Sequence, residues 1–163
     1  MNPSIPELRK HLRYDPETGY LWWKIFSGGR SHKRPAGSKD AYGYVRVSFK
    51  SKGYKAHRVA WALMKGYWPK KEIDHRNNIK DDNQWKNLRL ATISQNKRNR
   101  PVFKNTTSGI KGAQYSTKDR HWQARIRFGG RQLYLGCFST PEEAAAVYAA
   151  AAKKYHGEFA RTA

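Results

Sequence analysis

The chain has 163 residues, a mean hydropathy of −0.95 and a formal net charge of +21. It has no apolar run near the roughly 18 residues of a membrane span, and its single cysteine, Cys137, excludes a disulfide framework or a cysteine-based zinc site. Residues up to 100 include 23 basic and 8 acidic side chains, and the remainder 10 and 4, so we expect a nucleic-acid partner for both halves. The N-terminal residues lack the apolar core of a signal peptide, which favours a cytoplasmic protein.

The N-terminal third combines short helices and strands with one basic loop. Ser4 and Glu7 have the spacing of a helix cap, which predicts a helix to about Leu12. The glycine, serine and basic residues of 27–41 predict a loop that either contacts phosphate or is merely solvated. The remaining patterns predict a turn over 14–19, strands over 19–24, 43–49 and 54–56, and a helix over 57–65 that Gly66 ends. His57 opens that helix, either as a packed core histidine or as a group that touches a phosphate or the active site.

The most informative stretch runs from Ile73 to Asn99. Asp74 and His75 close a short apolar run, a polar loop rich in Asn and Asp comes next, and Leu88–Ala91 reads as a second strand. An Asp-His pair taken alone is more often an ordinary surface pair than a catalytic one. Its interpretation therefore depends on the residues that come after it in the chain.

The residues after the second strand supply a helix start. Thr92 and Gln95 have capping-box spacing, which places Asn96 in the first turn of a helix. We therefore expect the carboxylate of Asp74, the imidazole of His75 and the amide oxygen of Asn96 to converge. Carboxylate and amide oxygens suit Mg²⁺ or Mn²⁺, and a histidine near neutral pKa can activate a water, as phosphodiester hydrolysis requires.

These residues resemble the HNH endonuclease family, in particular its phage and intron homing branch. The resemblance covers about residues 5–100 and is carried by His57-Arg58, Gly66 and Pro69 with one extra residue between them, Asp74-His75, Asn87-Leu88-Arg89, Thr92, Asn96 and Asn99. It implies a strand–strand–helix metal fold in which Asp74 and Asn96 hold the ion. It further implies that His75 is the base and that Asn87 pins the loop by backbone hydrogen bonds.

A different pattern begins at Gly109. His121–Phe128 alternates apolar and polar residues, Gly129-Gly130 signals a two-residue hairpin, and Arg131–Phe138 returns. This loop length pairs Ile126 with Leu133, Arg125 with Tyr134 and Arg127 with Gln132. A strand over 110–116 completes the sheet, and the capped helix from Thr140 to about His156 covers its apolar face. The outer face is either a DNA-contacting surface or an ordinary solvated one.

Residues 106–162 resemble the plant ethylene-response-factor type of DNA-binding domain, which is also fused to phage HNH nucleases. The resemblance implies that the sheet faces DNA through Lys111, Gln114, Arg125, Arg127, Gln132 and Tyr134. Gln114, Gln132 and Tyr134 depart from the plant pattern, so the plant target sequence does not carry over. Lys97, Arg98 and Arg100 extend the preceding helix as a second basic surface, for which we expect phosphate contacts.

The sequence thus predicts an α+β protein with a nuclease domain over 1–100 (core 54–100), a linker over 101–108 and a DNA-binding domain over 109–163. The expected function is cleavage of double-stranded DNA by a Mg²⁺- or Mn²⁺-dependent endonuclease, acting as a monomer, in the host cytoplasm if it is phage-encoded. The alternatives are a non-enzymatic DNA-binding regulator with an inert nuclease core and a binder of structured RNA.

Overall fold

The computed structural model describes residues 2–25, 33–102 and 108–161, and the chain divides into two compact units, Met1–Thr92 and Ile93–Ala163. The sequence predicts the boundary between the two domains further along the chain, in the linker over 101–108. The two divisions differ because the motif assigns the helix after Thr92 to the first domain, whereas packing against the 3-10 turn Gly157–Phe159 groups it with the second. Residues 27–32 of the predicted basic loop and 103–107 of the predicted linker lie outside the described residues.

The first unit begins with a short helix and a strand pair. Helix α1 (Ile5–His11) is capped as predicted, because the backbone N–H of Glu7 donates to Ser4 Oγ at 3.3 Å. Strand β1 (Leu12–Tyr14) then pairs antiparallel with β2 (Leu21–Trp23). The sequence does not predict β1, because three residues are too few to show an alternating pattern.

A three-stranded antiparallel sheet and the longest helix of this unit come next. The sheet has the order β3 (Ser38–Lys39), β4 (Val45–Phe49), β5 (Lys52–Lys55), and helix α2 (Ala56–Lys65) begins directly after it and ends at Gly66 as predicted. β3 lies within the predicted basic loop, so that part of the prediction is wrong. β5 begins two residues earlier than predicted, because the turn residues Lys50 and Ser51 adopt left-handed φ angles of 49° and 59° and close a tight hairpin.

These elements bury a core that supports the remaining strand pair. Strand β6 (Glu72–His75) pairs antiparallel with β7 (Leu88–Ala91), after a 3-10 turn at Trp85–Asn87. α2 bridges two buried clusters, because Val59 packs into one and Ala60 and Trp61 into the other. The first cluster consists of Leu8, Leu12, Leu21, Ala36, Val47, Phe49, Ala56, Val59 and Ala62.

The second unit is a sheet covered by one long helix. Its elements are α3 (Ile93–Arg98), β8 (Ala113–Ser116), β9 (His121–Phe128), β10 (Arg131–Phe138) and α4 (Pro141–His156), with the antiparallel strand order β10-β9-β8. α4 contacts all three strands. The predicted capping box is present, since Thr140 Oγ1 accepts from the Glu143 N–H while Glu143 accepts from the Thr140 N–H.

The hairpin register of the second unit is as predicted. Phe128 pairs with Arg131, Arg125 with Tyr134 and Arg127 with Gln132. A bulge between Tyr134 and Gly136 shifts the rest of β10 by one residue, which the alternation did not reveal. Small antiparallel sheets combined with helices confirm the predicted α+β class.

Candidate functional site

Two of the three predicted site residues lie at the end of β6, held by pairing with β7. Asp74 is opposite Arg89, and His75 is opposite Leu88. Both side chains are buried, with relative exposures of 4% and 5%. Successive side chains on a strand point to opposite faces, so Asp74 and His75 lie on opposite faces of the strand pair. Because both are buried and polar, each needs a hydrogen-bond partner on its own face.

Arg89 is the partner of Asp74. Its Nε donates to Asp74 Oδ2 at 2.8 Å, and its Nη2 lies 2.7 Å from the same oxygen. The guanidinium is itself only 6% exposed, so the pair forms a buried charge-assisted contact. Arg89 thereby balances a carboxylate charge that would be costly to bury alone.

Asn83 is the partner of His75. His75 Nε2 and Asn83 Oδ1 lie 3.1 Å apart, and Asn83 is 3% exposed. An amide oxygen can only accept, so Nε2 carries the proton and the lone pair of the neutral ring lies on Nδ1. Burial lowers the pKa of His75, while the Asn83 hydrogen bond and the charge of Asp74 act in the opposite direction. The ring is therefore neutral and basic at Nδ1 near physiological pH.

Asn87 ties together the loop that carries Asn83. Its Oδ1 accepts from the Asn77 N–H at 3.0 Å, and its Nδ2 donates to the Asn77 side-chain oxygen at 2.9 Å and to the Asp82 carbonyl at 2.7 Å. The hydroxyl of Tyr14 donates to the backbone carbonyl of Asn83 at 2.7 Å. The loop is thus held by the side-chain amide of Asn87 and by the hydroxyl of Tyr14 from the N-terminal segment.

The same loop is tied to β3 and to the turn that follows β3. Lys39 Nζ lies 2.6 Å from Asp81 Oδ2, and Lys80 Nζ donates to the Tyr42 carbonyl at 2.9 Å. The hydrogen bond with Lys39 lowers the pKa of Asp81. These side chains are partly exposed, so they contribute more to the position of the loop than to stability.

His57 packs against the ring of His75. The two centroids lie 5.0 Å apart in an edge-on arrangement, and the Tyr44 ring lies 5.5 Å from His57 and 6.0 Å from His75. Burial, and then electrostatic interaction with His75, Lys55 and Arg58, lower the pKa of His57 to about 3. Of the roles considered from the sequence, a packed histidine that touches the candidate site agrees with this position.

Asn96 lies in α3, which begins directly after Thr92 as predicted. This helix belongs to the second unit, so the convergence of Asn96 with Asp74 and His75 stays a prediction. Within the described ranges, no group of three or more His, Cys, Asp or Glu side chains is arranged to hold a metal ion.

The outer face of the second-unit sheet carries the predicted polar residues. Gln114, Arg125, Arg127, Gln132 and Tyr134 are all exposed. The guanidinium carbon of Arg125 lies 5.9 Å from the centroid of the Tyr134 ring across the hairpin, and its Nη2 donates to Gln123 Oε1 at 2.7 Å. Two neighbours thus orient Arg125 on the sheet face. The predicted register indicated Tyr134, whereas the sequence did not indicate Gln123.

Lys111 has a different setting from the other predicted DNA contacts. Its ammonium donates to the carbonyls of Arg98 and Arg100 at 2.7 and 2.8 Å. Burial, with the charge of Arg161, lowers its pKa to about 8. These bonds link the end of α3 to the segment before β8, and a contact of Lys111 with DNA stays a prediction.

Comparison with known proteins places the β6–β7 site in a family. Residues 54–98 match the family model described as HNH endonuclease. Protein 3.8 of Escherichia phage T7 is 31% identical over 120 residues, which cover 72% of this chain and 98% of that protein. The chain belongs to the HNH endonuclease family. The HNH match includes β6, β7 and α3, and with them Asp74, His75, Asn87 and Asn96.

Two further proteins resemble parts of this HNH chain. The ethylene-responsive transcription factor WRI1 of Arabidopsis thaliana is 42% identical over 62 residues, 37% of this chain and 14% of that protein. A solved structure entitled "DNA binding and cleavage by the HNH homing endonuclease I-HmuI" is 26% identical with a TM-score of 0.42, covering 61% of this chain and 57% of that one. None of the helices in the described parts of the chain is both long and apolar enough to cross a membrane.

Sequence reasoning missed two residues of the HNH site. The Asn-Leu-Arg motif includes Arg89 but gives it no role, yet strand pairing alone places it opposite Asp74. Antiparallel pairing of His75 with Leu88 is enough to predict that Arg89 lies opposite Asp74. Asn83 gave no such signal, because several Asn and Asp residues share its loop and only the folded loop selects one.

Proposed function

We propose that this chain is a divalent-metal-dependent endonuclease of the homing type, which hydrolyses phosphodiester bonds in double-stranded DNA. The observation that carries the proposal is the buried His75, whose Nε2 is held by Asn83 beside the buried Asp74–Arg89 pair. A family match to HNH endonucleases over the same residues supports it. The homing type rests on the resemblance of the sequence motifs.

His75 is the proposed general base. Its Nδ1 removes a proton from a water molecule, the resulting hydroxide oxygen attacks the phosphorus, and one P–O bond of the backbone breaks. The departing oxygen then takes a proton from solvent. The Asn83 hydrogen bond fixes the ring orientation and the tautomer that this step needs.

Asp74 and Asn96 are the proposed ligands of one Mg²⁺ or Mn²⁺ ion. A carboxylate and an amide oxygen match the preference of these ions, which retain several waters and accept phosphate oxygens. The bound ion would supply charge stabilisation at the scissile phosphate. The contact with Arg89 orients the Asp74 carboxylate, and the hydrogen bonds of Asn87 hold the adjoining loop in one conformation.

The second unit is proposed to position the cut by binding DNA with its outer sheet face. A ribbon of two or three strands fits the major groove, and Arg125 is aligned to reach a base edge or a phosphate. The local similarity to a plant transcription factor supports this role. One active site per chain favours nicking of one strand by a monomer, whereas a dimer could cut both strands.

The test uses supercoiled plasmid carrying DNA from the source of the gene, incubated with the full chain in Mg²⁺ or in EDTA. We expect nicked or linear product in Mg²⁺ only, and none from Asp74→Ala. A Lys154→Gln protein, changed at an exposed residue of α4, serves as the matched control and should cleave normally. Tight, salt-sensitive binding of DNA without cleavage under any metal would instead identify a DNA-binding regulator with an inert core. Preference for structured RNA over duplex DNA at equal salt would identify an RNA binder.

A further inference from the structure

The second unit contains a basic cleft that shares only Arg127 with the residues named on the outer face of its sheet. It has a volume of about 540 Å³ and lies between α3, the segment before β8, and α4. Its lining includes four cationic side chains, one histidine and one tyrosine: Lys97, Arg98, Lys111, Arg127, His156 and Tyr148. None of the described residues that line it is acidic.

Close packing gives the cleft its walls. A Cβ atom on Gly112 would lie 2.1 Å from the ring of Tyr148, so only glycine lets this segment, at φ +90°, approach α4 so closely. Lys111, its neighbour in the chain, donates to the carbonyls of Arg98 and Arg100 and so joins the same segment to α3. His156 closes one end, with Nε2 3.0 Å from the carbonyl of Arg127.

The cations of the cleft are not explained by helix packing alone. Lys111 already satisfies carbonyls at the C-terminal end of α3, which is the usual role of a cation there. Lys97 is exposed and Arg98 only half-buried, so both are accessible to an anion at the cleft. Burial lowers the pKa of His156, and the hydrogen bond with the Arg127 carbonyl acts in the opposite direction. The charges of Arg98 and Lys111 lower the pKa further, as expected in a region of positive potential.

We propose that this cleft seats a phosphate of the DNA backbone, as a second contact beside the sheet face. The proposal rests on the proposed function, because that function supplies duplex DNA as the polyanion. An exposed rim formed by Lys97 suits a phosphodiester that enters as part of a longer chain. A contact of this kind adds affinity and fixes the orientation of the second unit on the duplex without reading sequence.

The test measures how the binding of a mixed-sequence duplex by the full chain depends on salt. Replacing both cleft cations of α3 (Lys97→Gln with Arg98→Gln) should reduce the slope of log affinity against log salt by about 1 for one lost phosphate contact. The charge-preserving pair Lys97→Arg with Arg98→Lys should restore the slope. Lys154→Gln removes one charge from α4 at a residue outside the cleft and should leave the slope unchanged.

A second readout locates the contact. The ring signals of His156 in the NMR spectrum, assigned with His156→Gln, should shift when the duplex is added to the parent protein. They should shift much less in the Lys97→Gln, Arg98→Gln protein. Thermal unfolding of each variant excludes misfolding as the cause, and the exposed Lys97→Gln substitution alone should lower affinity in the same direction.

The outcomes separate the two proposals. Suppose that the parent protein binds duplex normally. If the double variant then has the same salt slope and the same DNA-induced shift of the His156 signals as the parent, the cleft proposal is overturned and the endonuclease proposal remains. If the parent protein cleaves DNA and the double variant binds duplex with the same affinity as the parent, the cleft proposal is likewise overturned and the endonuclease proposal remains. Failure of the parent protein to bind or cleave any duplex would overturn both.

Discussion

Gly19 lies against the backbone of Asn83, so closely that a Cβ atom at position 19 would fall 2.5 Å from the Asn83 carbonyl carbon. Its φ angle of +76° is also one that residues with side chains rarely adopt. The turn at residues 15–20 therefore fits directly onto the loop whose amide orients His75. The position of the candidate base depends in this way on a segment far earlier in the chain.

Gly19→Ala should destabilise the first unit by about 1–3 kcal/mol, because the new methyl group meets backbone atoms that cannot move independently. We also expect slower plasmid cleavage at a temperature where the protein remains folded, since Asn83 is displaced from His75. Glu17→Ala, on the same turn but exposed, is the control and should change neither the unfolding midpoint nor the rate. Equal stability of the two variants would show that the loop adjusts without cost.

Arg89→Met should be strongly destabilising, by about 3–5 kcal/mol, because it leaves the buried Asp74 carboxylate without its counter-charge. Urea unfolding of the single variant and of Arg89→Met combined with Asp74→Asn checks this. The second change removes the orphaned charge and should recover part of the stability while cleavage remains absent. Failure to recover any stability would indicate that Arg89 acts through packing and not through the ion pair.

His75→Ala should slow cleavage by about a hundredfold to ten-thousandfold, the usual contribution of a general base. Asn83→Ala should slow it by roughly tenfold to a hundredfold, since the base remains and only its orientation is lost. Single-turnover rates in Mg²⁺ measure both, with the exposed Lys86→Ala as control. His75→Ala cleaving as fast as the parent protein would remove His75 from the mechanism.

Stability of the first unit should fall as the pH falls from about 6.5 toward about 3. The pKa of His57 is lowered to about 3 in the folded state, so between these values the unfolded chain binds a proton that the folded chain excludes. The loss reaches at most about 1.4 kcal/mol per pH unit for one such group. The lowered pKa of His75 acts in the same direction. Calorimetry across this pH range should show that stability depends less steeply on pH in His57→Gln than in the parent protein. The control His121→Gln, changed at an exposed site in the other unit, should match the parent.

Arg125→Ala should weaken duplex binding by about 1–3 kcal/mol, because it removes the cation that Tyr134 and Gln123 hold on the sheet face. Gel-shift titration measures the loss, with Lys154→Gln again as control. Residual nicking at high protein concentration should persist, since the β6–β7 site is unchanged. An unaltered affinity would exclude this face from the DNA interface.

Local patterns in the sequence determined much of this protein. A two-residue loop at Gly129-Gly130 is enough to set the register of β9 on β10, because strand pairing from a tight turn leaves no freedom for the first few pairs. Capping residues likewise located the starts of α1 and α4. The spacing of Asp74-His75 and Asn87-Leu88-Arg89 marked the strand pair of the candidate site, since both motifs are short and contiguous.

Only the tertiary structure decided which groups complete that site. The partner of His75, the close approach of Gly19 and the packing of His57 each join residues separated by long or irregular stretches of chain. Such contacts leave no periodic trace, because they arise from how loops close over a core and not from the repeat of a helix or strand. The grouping of α3 with the second unit, and with it the basic cleft, results from packing for the same reason.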